Sequence, residues 1–376
     1  MPVKLSPSSP ATPTQLLHTQ LSDFLHTEVA PQANALDHDT SALKQALQGL
    51  AERGVLGAKV PPNWGGLGLS ASDYRQWQLE IARYSGALAF LQSQHQSATS
   101  MLIQSPNVAL QDRLLPAIAN NHHLVGVGFS HLRRPGKPVV TAEPVASGYQ
   151  LNGTVPWVTG LGYFQDFILG ATLPDGQELY ALLPLQTSQQ PAGGRICFRE
   201  PLALADLTAT NTVTADLQDW WLTPEQVVSL KPAGDLHQKD QRSPLLNSFM
   251  TLGCARAGLD ILALTCERQS LEQLHTTYTA LLQQWQTCHA QILTTIAQGD
   301  APTPTQLALR ATAIQLAFSC SQAAIVATSG AANLATHAAQ RIYREAIVFA
   351  VSGQTTALRA ATLDKLHTAA QAVGAD

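Results

Sequence analysis

Apolar residues recur at helical spacing from residue 14 to about 120, switch to a two-residue alternation from His123, and return to helical spacing from about Leu245 to Val373. Leu16, Leu17, Leu21, Phe24 and Leu25 form one stripe, which predicts a helix from Gln15 to about Val29, stopped by Pro31. Leu43, Leu47 and Leu50 predict a second helix from Ser41 to Arg53, ended by Gly54. The loop PPNWGGLG (61–68) follows, Ser70 is placed to cap the next helix, and helices are expected near 71–83, 85–104 and 107–119. Alternation then marks strands at Val125–Phe129, Val139–Glu143, Phe167–Ala171, Leu179–Leu183 and Val213–Leu217, punctuated by Gly, Pro and Asp. Long Leu/Ala/Gln-rich helices are expected near 245–269, 270–298 and 303–333, with shorter ones near 338–352 and 355–370. Gly299-Asp300-Ala301-Pro302-Thr303 breaks two of them.

The pattern predicts an α+β multidomain chain. Its divisions are a disordered lead over 1–13, an N-terminal helical domain over 14–122, a central antiparallel β domain over 123–235 and a C-terminal four-helix bundle over 236–376. The Pro/Ser-rich MPVKLSPSSPATPT has no apolar core and does not read as a signal peptide.

Charge narrows the function classes. A net charge of −4 over 376 residues argues against nucleic acid or a membrane surface as the partner, and no run of about 18 apolar residues marks a membrane span. Five widely spaced cysteines read as reduced thiols of a cytoplasmic protein. The twelve histidines show no ligand spacing, so no metal site is expected.

The segment GYQLNGTVPWVTGLG (148–162) carries the most chemistry. It reads as a β-hairpin turning at Asn152-Gly153, whose second strand sets Trp157 and Thr159 on one face. A flat aromatic beside a hydroxyl suits a planar heterocycle, although a hairpin with one buried Trp is an ordinary structural element.

The segment closely resembles the flavin-binding hairpin of the acyl-CoA dehydrogenase family, G-x-x-LNG-x-K-x-W-I-T, with Val155 in place of the Lys. Further resemblances follow in register: HTEVAPQANALD (26–37), LAERGVLGAKVPPNWGGLGLS (50–70), ARYSGALAFLQSQHQ, DRLLPAIANN and AAQRIYREA (338–346). The resemblance covers nearly the whole chain and implies the family's architecture of helices, β domain and helical bundle. It implies FAD, held by Phe129, Ser130, Trp157, Val158, Thr159 and Thr355, and a homodimer or homotetramer with cofactor sites between subunits. A small-molecule substrate of acyl-CoA kind and an electron-transfer or flavin-reductase partner are implied as well.

Several family groups have no match. A dehydrogenase of this kind needs a carboxylate to take the α-proton, yet the position of the family's "YEGT" Glu is Gly353, and the alternative position on an earlier helix is near Leu246 and Asn247. The "TEPGAGSD" loop is replaced by SHLRRPG (130–136), where His131 is an acid–base candidate and Arg133 and Arg134 are candidates for a substrate phosphate or carboxylate; a solvated loop is the plain alternative. The "R..FG" Arg has no match in 266–285, and Val326 stands where the "Q..GG.G" Gln would be, with Gly330 and Ala331 kept. Glu345 fits a structural salt bridge. Three functions accord with this pattern: a flavin-dependent oxidoreductase on an acyl thioester, a reduced-flavin monooxygenase that needs no such base, and a non-catalytic paralogue serving in binding or assembly.

Overall fold

The computed structural model describes residues 13–134, 136–299 and 303–373; of the expected lead over 1–13, all but Pro13 lies outside them. Helix α1 (Pro13–Phe24) runs through a π turn (Leu25–Val29) and a 3-10 turn (Ala30–Gln32) into α2 (Ala33–His38). Pro31 therefore does not end the helical run. It is the second residue of the 3-10 turn, where its missing N–H is not needed. Helix α3 (Thr40–Glu52) is capped by Asp39, whose Oδ1 accepts from the N–H groups of Ser41 and Ala42. Ser70 caps α4 (Ala71–Tyr84) as expected, and α5 (Gly86–Ile103) and α6 (Val108–Ala119) complete the N-terminal helices.

The sheet is built from β1 (Val125–Gly128), β2 (Val140–Val145), β3 (Gly148–Val158), β4 (Asp166–Thr172), β5 (Glu178–Pro184), β6 (Ser188–Gln189), β7 (Arg195–Phe198), β8 (Val213–Leu222) and β9 (Val227–Lys231). Their order is β6-β7-β8-β3-β2-β4-β5-β9, with β1 also on β4. The sheet is antiparallel except at one seam, where β1 and Thr141 of β2 pair parallel to β4. The expected antiparallel β domain is therefore present, with one parallel seam added to it, because the chain enters the sheet from α6 and must pass back over it before β2 begins.

The expected hairpin at Asn152-Gly153 is one continuous strand. The turn lies earlier, at Ala146-Ser147, and β3 passes Asn152-Gly153 paired on both sides, to β2 and to β8. Opposite the pair, β8 carries an extra residue: Asp219 has φ +49° and donates its N–H to Asn152 Oδ1 at 2.8 Å. Gly153 is required because a Cβ there would lie 2.1 Å from the Val139 carbonyl oxygen. A turn signal has become a bulge site.

After α7 (Asp235–Arg242) come α8 (Ser248–Arg268), α9 (Glu272–Gln298), α10 (Thr303–Thr328), α11 (Ala338–Val351) and α12 (Thr356–Val373). Glycines set the spacing in this bundle. A Cβ on Gly258 of α8 would lie 2.7 Å from the Cys320 backbone of α10, and one on Gly253 2.3 Å from the Leu79 carbonyl oxygen of α4. By composition, Ser248–Arg268 and Thr303–Asn333 are apolar enough to cross a membrane, and 67% and 50% of their most apolar windows are buried in the bundle.

Candidate functional site

Two strand ends meet at the centre of the candidate site. A Cβ on Gly128 would lie 3.1 Å from Val158 Cγ2 and 2.9 Å from the Phe167 ring, so glycine lets the end of β1 lie against the end of β3. This brings Phe129 and Ser130 beside Trp157, Val158 and Thr159. The Phe129 ring stands edge-on to Tyr180 with centroids 5.6 Å apart, and Ser130 is exposed at the start of a 3-10 turn, Ser130–Arg133. Trp157 is 41% exposed, whereas Val155 and Val158 on either side are fully buried.

Thr159 does not share the face of Trp157 in the simple way alternation predicts. Three steps on β3, from Val155 to Val158, match two on β8, from Ala215 to Val213, so a bulge at Pro156-Trp157 shifts the phase. Thr159 lies past the end of the strand and is 6% exposed, with its Oγ1 2.9 Å from Thr212 Oγ1. Thr212 Oγ1 is 3.3 Å from Thr210 Oγ1, and Thr210 donates to the Leu207 carbonyl at 2.7 Å. The relay ends on an acceptor, so the proton of Thr210 is committed inward; Thr159 can then offer a ligand either lone pairs or a proton, according to which way Thr212 turns.

His131 is 5% exposed, and its Nε2 lies 2.9 Å from the Gly170 carbonyl. A carbonyl only accepts, so Nε2 carries the proton and Nδ1 is left as a buried acceptor without a partner. Burial brings its pKa down to about 4, which makes it a neutral, weak base at pH 7. Arg133 grips Asp240 of α7 through Nε, at 2.5 Å, and Nη2, at 3.2 Å, while Arg134 is exposed.

The two positions considered for a proton-abstracting carboxylate converge in space. Gly353 has φ +65°, and a Cβ there would lie 2.1 Å from Asn247 Nδ2; Leu246, beside it, is 44% exposed. Neither position carries an acid. Thr355 caps α12, its Oγ1 accepting from the Leu358 N–H at 3.1 Å.

Behind Asn247 lies Arg310, 1% exposed. Its Nη1 donates to the Asn247 carbonyl at 2.9 Å and to Thr251 Oγ1, and its Nη2 donates to the Phe349 carbonyl at 2.9 Å. No carboxylate balances it among the described residues, its Nε is unpartnered, and burial lowers its pKa to about 9. The sequence reading passed over Arg310, although it is the single charged residue in Thr303–Thr328 and that isolation was its signal. Glu345 pairs with Arg341 on α11 as expected and also accepts the Gly86 N–H of α5 at 2.9 Å.

Residues 13–122 match the family model "Acyl-CoA dehydrogenase, N-terminal domain". The chain is 28% identical over 150 residues to the mitochondrial isovaleryl-CoA dehydrogenase of Pongo abelii, covering 38% of this chain and 35% of that one. It is 27% identical over 168 residues to an acyl-CoA dehydrogenase of Bacillus subtilis (strain 168), covering 43% of this chain and 44% of the relative. The chain thus spans less than half the length of these curated relatives. The butyryl-CoA dehydrogenase structure from Megasphaera elsdenii superposes with a TM-score of 0.78 at 16% identity, over 96% of this chain and 99% of that one, and speaks for the fold.

Proposed function

We propose that this chain, whose residues 13–122 match the acyl-CoA dehydrogenase N-terminal domain model, is a member of the acyl-CoA dehydrogenase family and a flavin-dependent oxidoreductase acting on the acyl part of an acyl-CoA-like substrate. The observation that carries this reading is the Trp157 indole, left open on a strand whose neighbouring valines are fully buried, beside Ser130 and the buried Thr159 hydroxyl. Such a platform fits the flat ring of FAD: Trp157 and Phe129 would flank it, and Ser130, Thr159 and the Val158 backbone would meet its polar edge. Past Thr159 the chain turns at Gly160 and Gly162, with φ +100° and +85°, and nothing lies within 4 Å of a Cβ built on Gly162, so this rim of the platform is open. Thr355 would approach from the α11–α12 junction. Bound FAD supplies the acceptor for the substrate's β-hydride. The chain's own residues position the acyl group, and the α-proton must leave to a group other than residue 353 or 247.

The Gly353–Asn247 contact favours one second reading. A reduced-flavin monooxygenase on this fold needs no carboxylate at that place, and its reducing equivalents would come from a flavin-reductase partner. As a dehydrogenase, the protein would instead hand its electrons to an electron-transfer partner. Exposed apolar residues on the bundle, among them Val326 at 71%, Leu334 at 60% and Leu363 at 58%, support self-association as a dimer or tetramer. The five free cysteines suit the reducing cytoplasm.

The test is the visible spectrum of the purified protein, alone and after reconstitution with FAD, followed by an anaerobic acyl-CoA panel. Bands near about 370 and 450 nm that bleach with an acyl-CoA support the dehydrogenase reading. Bands that never bleach, with oxygen-dependent product once a reductase is supplied, select the monooxygenase. A protein that refuses FAD is a non-catalytic paralogue.

A further inference from the structure

The hydroxyl relay behind Thr159 belongs to a strained segment that the chain holds in place on both sides. Thr208–Thr210 form a 3-10 turn flanked by two left-handed residues, Leu207 at φ +55° and Asn211 at φ +48°. A leucine rarely adopts that conformation, so the surroundings must impose it. On one side, the Leu207 N–H donates to Asp37 Oδ1 at 2.7 Å and the Thr208 hydroxyl to the Asp37 carbonyl at 3.2 Å. The Tyr163 hydroxyl donates to the Ala209 carbonyl at 2.6 Å. On the other side, the Gly160 N–H donates to the Thr210 carbonyl at 3.0 Å and the Leu161 N–H to the Asn211 carbonyl at 3.3 Å. Asn211 Nδ2 donates in return to the Leu161 carbonyl at 3.1 Å. The turn is thus stitched to the two residues that follow Thr159, and it sets the hydroxyls of Thr210 and Thr212, 0% and 4% exposed, behind the platform.

Counting donors gives the relay a preferred direction. Thr210 spends its proton on the Leu207 carbonyl, so only Thr212 can donate across the 3.3 Å between Thr212 and Thr210. With that proton spent, only Thr159 can donate across the 2.9 Å between Thr159 and Thr212. When all three protons point inward, every contact is a hydrogen bond and Thr159 turns lone pairs to a ligand. When Thr159 donates outward, one of the two inner contacts is left as oxygen facing oxygen with no proton between them. The relay therefore favours a ligand that donates to Thr159 over one that accepts from it, by one buried hydrogen bond.

We propose that Thr210 and Thr212 are positioning residues that set the direction of the Thr159 hydrogen bond and thereby raise the reduction potential of the flavin beside it. This rests on the function proposed above, in which Thr159 meets the polar edge of the ring. In the oxidised form the ring nitrogens of such an edge accept hydrogen bonds. A ring nitrogen that takes up the hydride lost by the substrate's β-carbon gains the hydrogen with its electron pair, becomes an N–H and donates. Against the reduced form all the relay protons stay inward; against the oxidised form the relay gives up one bond.

The test is the two-electron reduction potential of the FAD-reconstituted full chain, read by equilibration with a redox dye. Thr210→Val removes a hydroxyl that is fully buried and out of a ligand's reach. It should shift the balance toward the oxidised form by about tenfold, a fall of about 30 mV for a two-electron couple. Thr210→Ser keeps the hydroxyl and should restore the wild-type value, which a packing role would not. Thr212→Val should give a fall at least as large, and the double variant no more than Thr212→Val alone, because both changes cut one chain. Thr212→Val carries the test by itself should Thr210→Val not fold. Potentials unmoved by either valine, equal falls in Thr210→Val and Thr210→Ser, or additive falls in the double variant overturn the relay. A wild type that refuses FAD overturns the relay together with the function; a flavoprotein whose potential ignores both threonines overturns the relay alone.

Discussion

At the scale of single residues, the chemistry turns on what has been taken away as much as on what is present. Gly353 occupies a left-handed conformation against Asn247 Nδ2, so a side chain meets both backbone strain and a collision. Gly353→Ala should cost about 1–3 kcal/mol in thermal or denaturant unfolding. Adding Asn247→Ala should recover the part due to the collision and leave the part due to φ; full recovery would mean that φ +65° carries no strain here. Trp157 is the opposite case, a large side chain with one open face. Trp157→Ala should leave stability nearly unchanged, because the indole is already 41% exposed, and should weaken FAD binding by about tenfold in a fluorescence titration of the apoprotein. An FAD affinity unmoved by the change would place the ring elsewhere. His131 was visible in the sequence as a histidine in a loop, but its chemical state was not. Only the Gly170 carbonyl and the surrounding burial reveal a neutral imidazole with its proton on Nε2.

At the scale of elements, what could be read along the chain depended on whether local and long-range signals agreed. For α4, α5 and α6 the apolar period, the Ser70 cap and the Pro/Gly punctuation all point the same way, and the helices fall within a residue or two of expectation. In β3 they conflict: Asn-Gly favours a two-residue turn, but the strands on both sides recruit the segment into one ladder and convert the signal into a bulge. Gly153→Ala tests this directly. A Cβ 2.1 Å from a backbone oxygen cannot be relieved by rotating a side chain, so the variant should lose about 2 kcal/mol or more, measured as a fall in Tm. A turn would tolerate the change at lower cost. The short β6, β7 and β9 escaped the sequence reading because their pairing partners, rather than their own periodicity, hold them in place, and α7 escaped it because Leu236 is its one buried residue and leaves no apolar period to read. Arg310 escaped for a related reason: its partners, Asn247 and Phe349, lie on other helices, so sequence distance hid the buried charge beside the Gly353–Asn247 contact.

At the scale of the whole molecule, the three parts of the chain are tied at one buried acidic knot. Asp37 of α2, Asp206 from the loop before β8, and Arg344 of α11 meet there: Arg344 donates to Asp206 Oδ1 at 3.0 Å and to Asp37 Oδ2 at 2.9 Å, while Asp37 Oδ1 accepts the Leu207 N–H at 2.7 Å. Glu345 lies close by on the same helix, so acids outnumber the guanidinium that serves the aspartate pair. Burial, then the charges of Glu345 and Asp37, push Asp206 up to about 9, so the folded protein holds a proton there that the unfolded chain releases. The sign follows: for an acid whose folded pKa is raised, stability falls as pH rises between the unfolded and folded values, by up to about 1.4 kcal/mol per pH unit. Asp206→Asn keeps the shape of the protonated acid and removes the titration. At or below about pH 4 the variant should therefore stay close to the wild type, and each further pH unit up to about pH 8 should widen its advantage by up to about 1.4 kcal/mol in denaturant unfolding. Parallel stability curves for the two proteins across this range would mean that Asp206 is ionised in the folded state, with Arg344 alone compensating both aspartates.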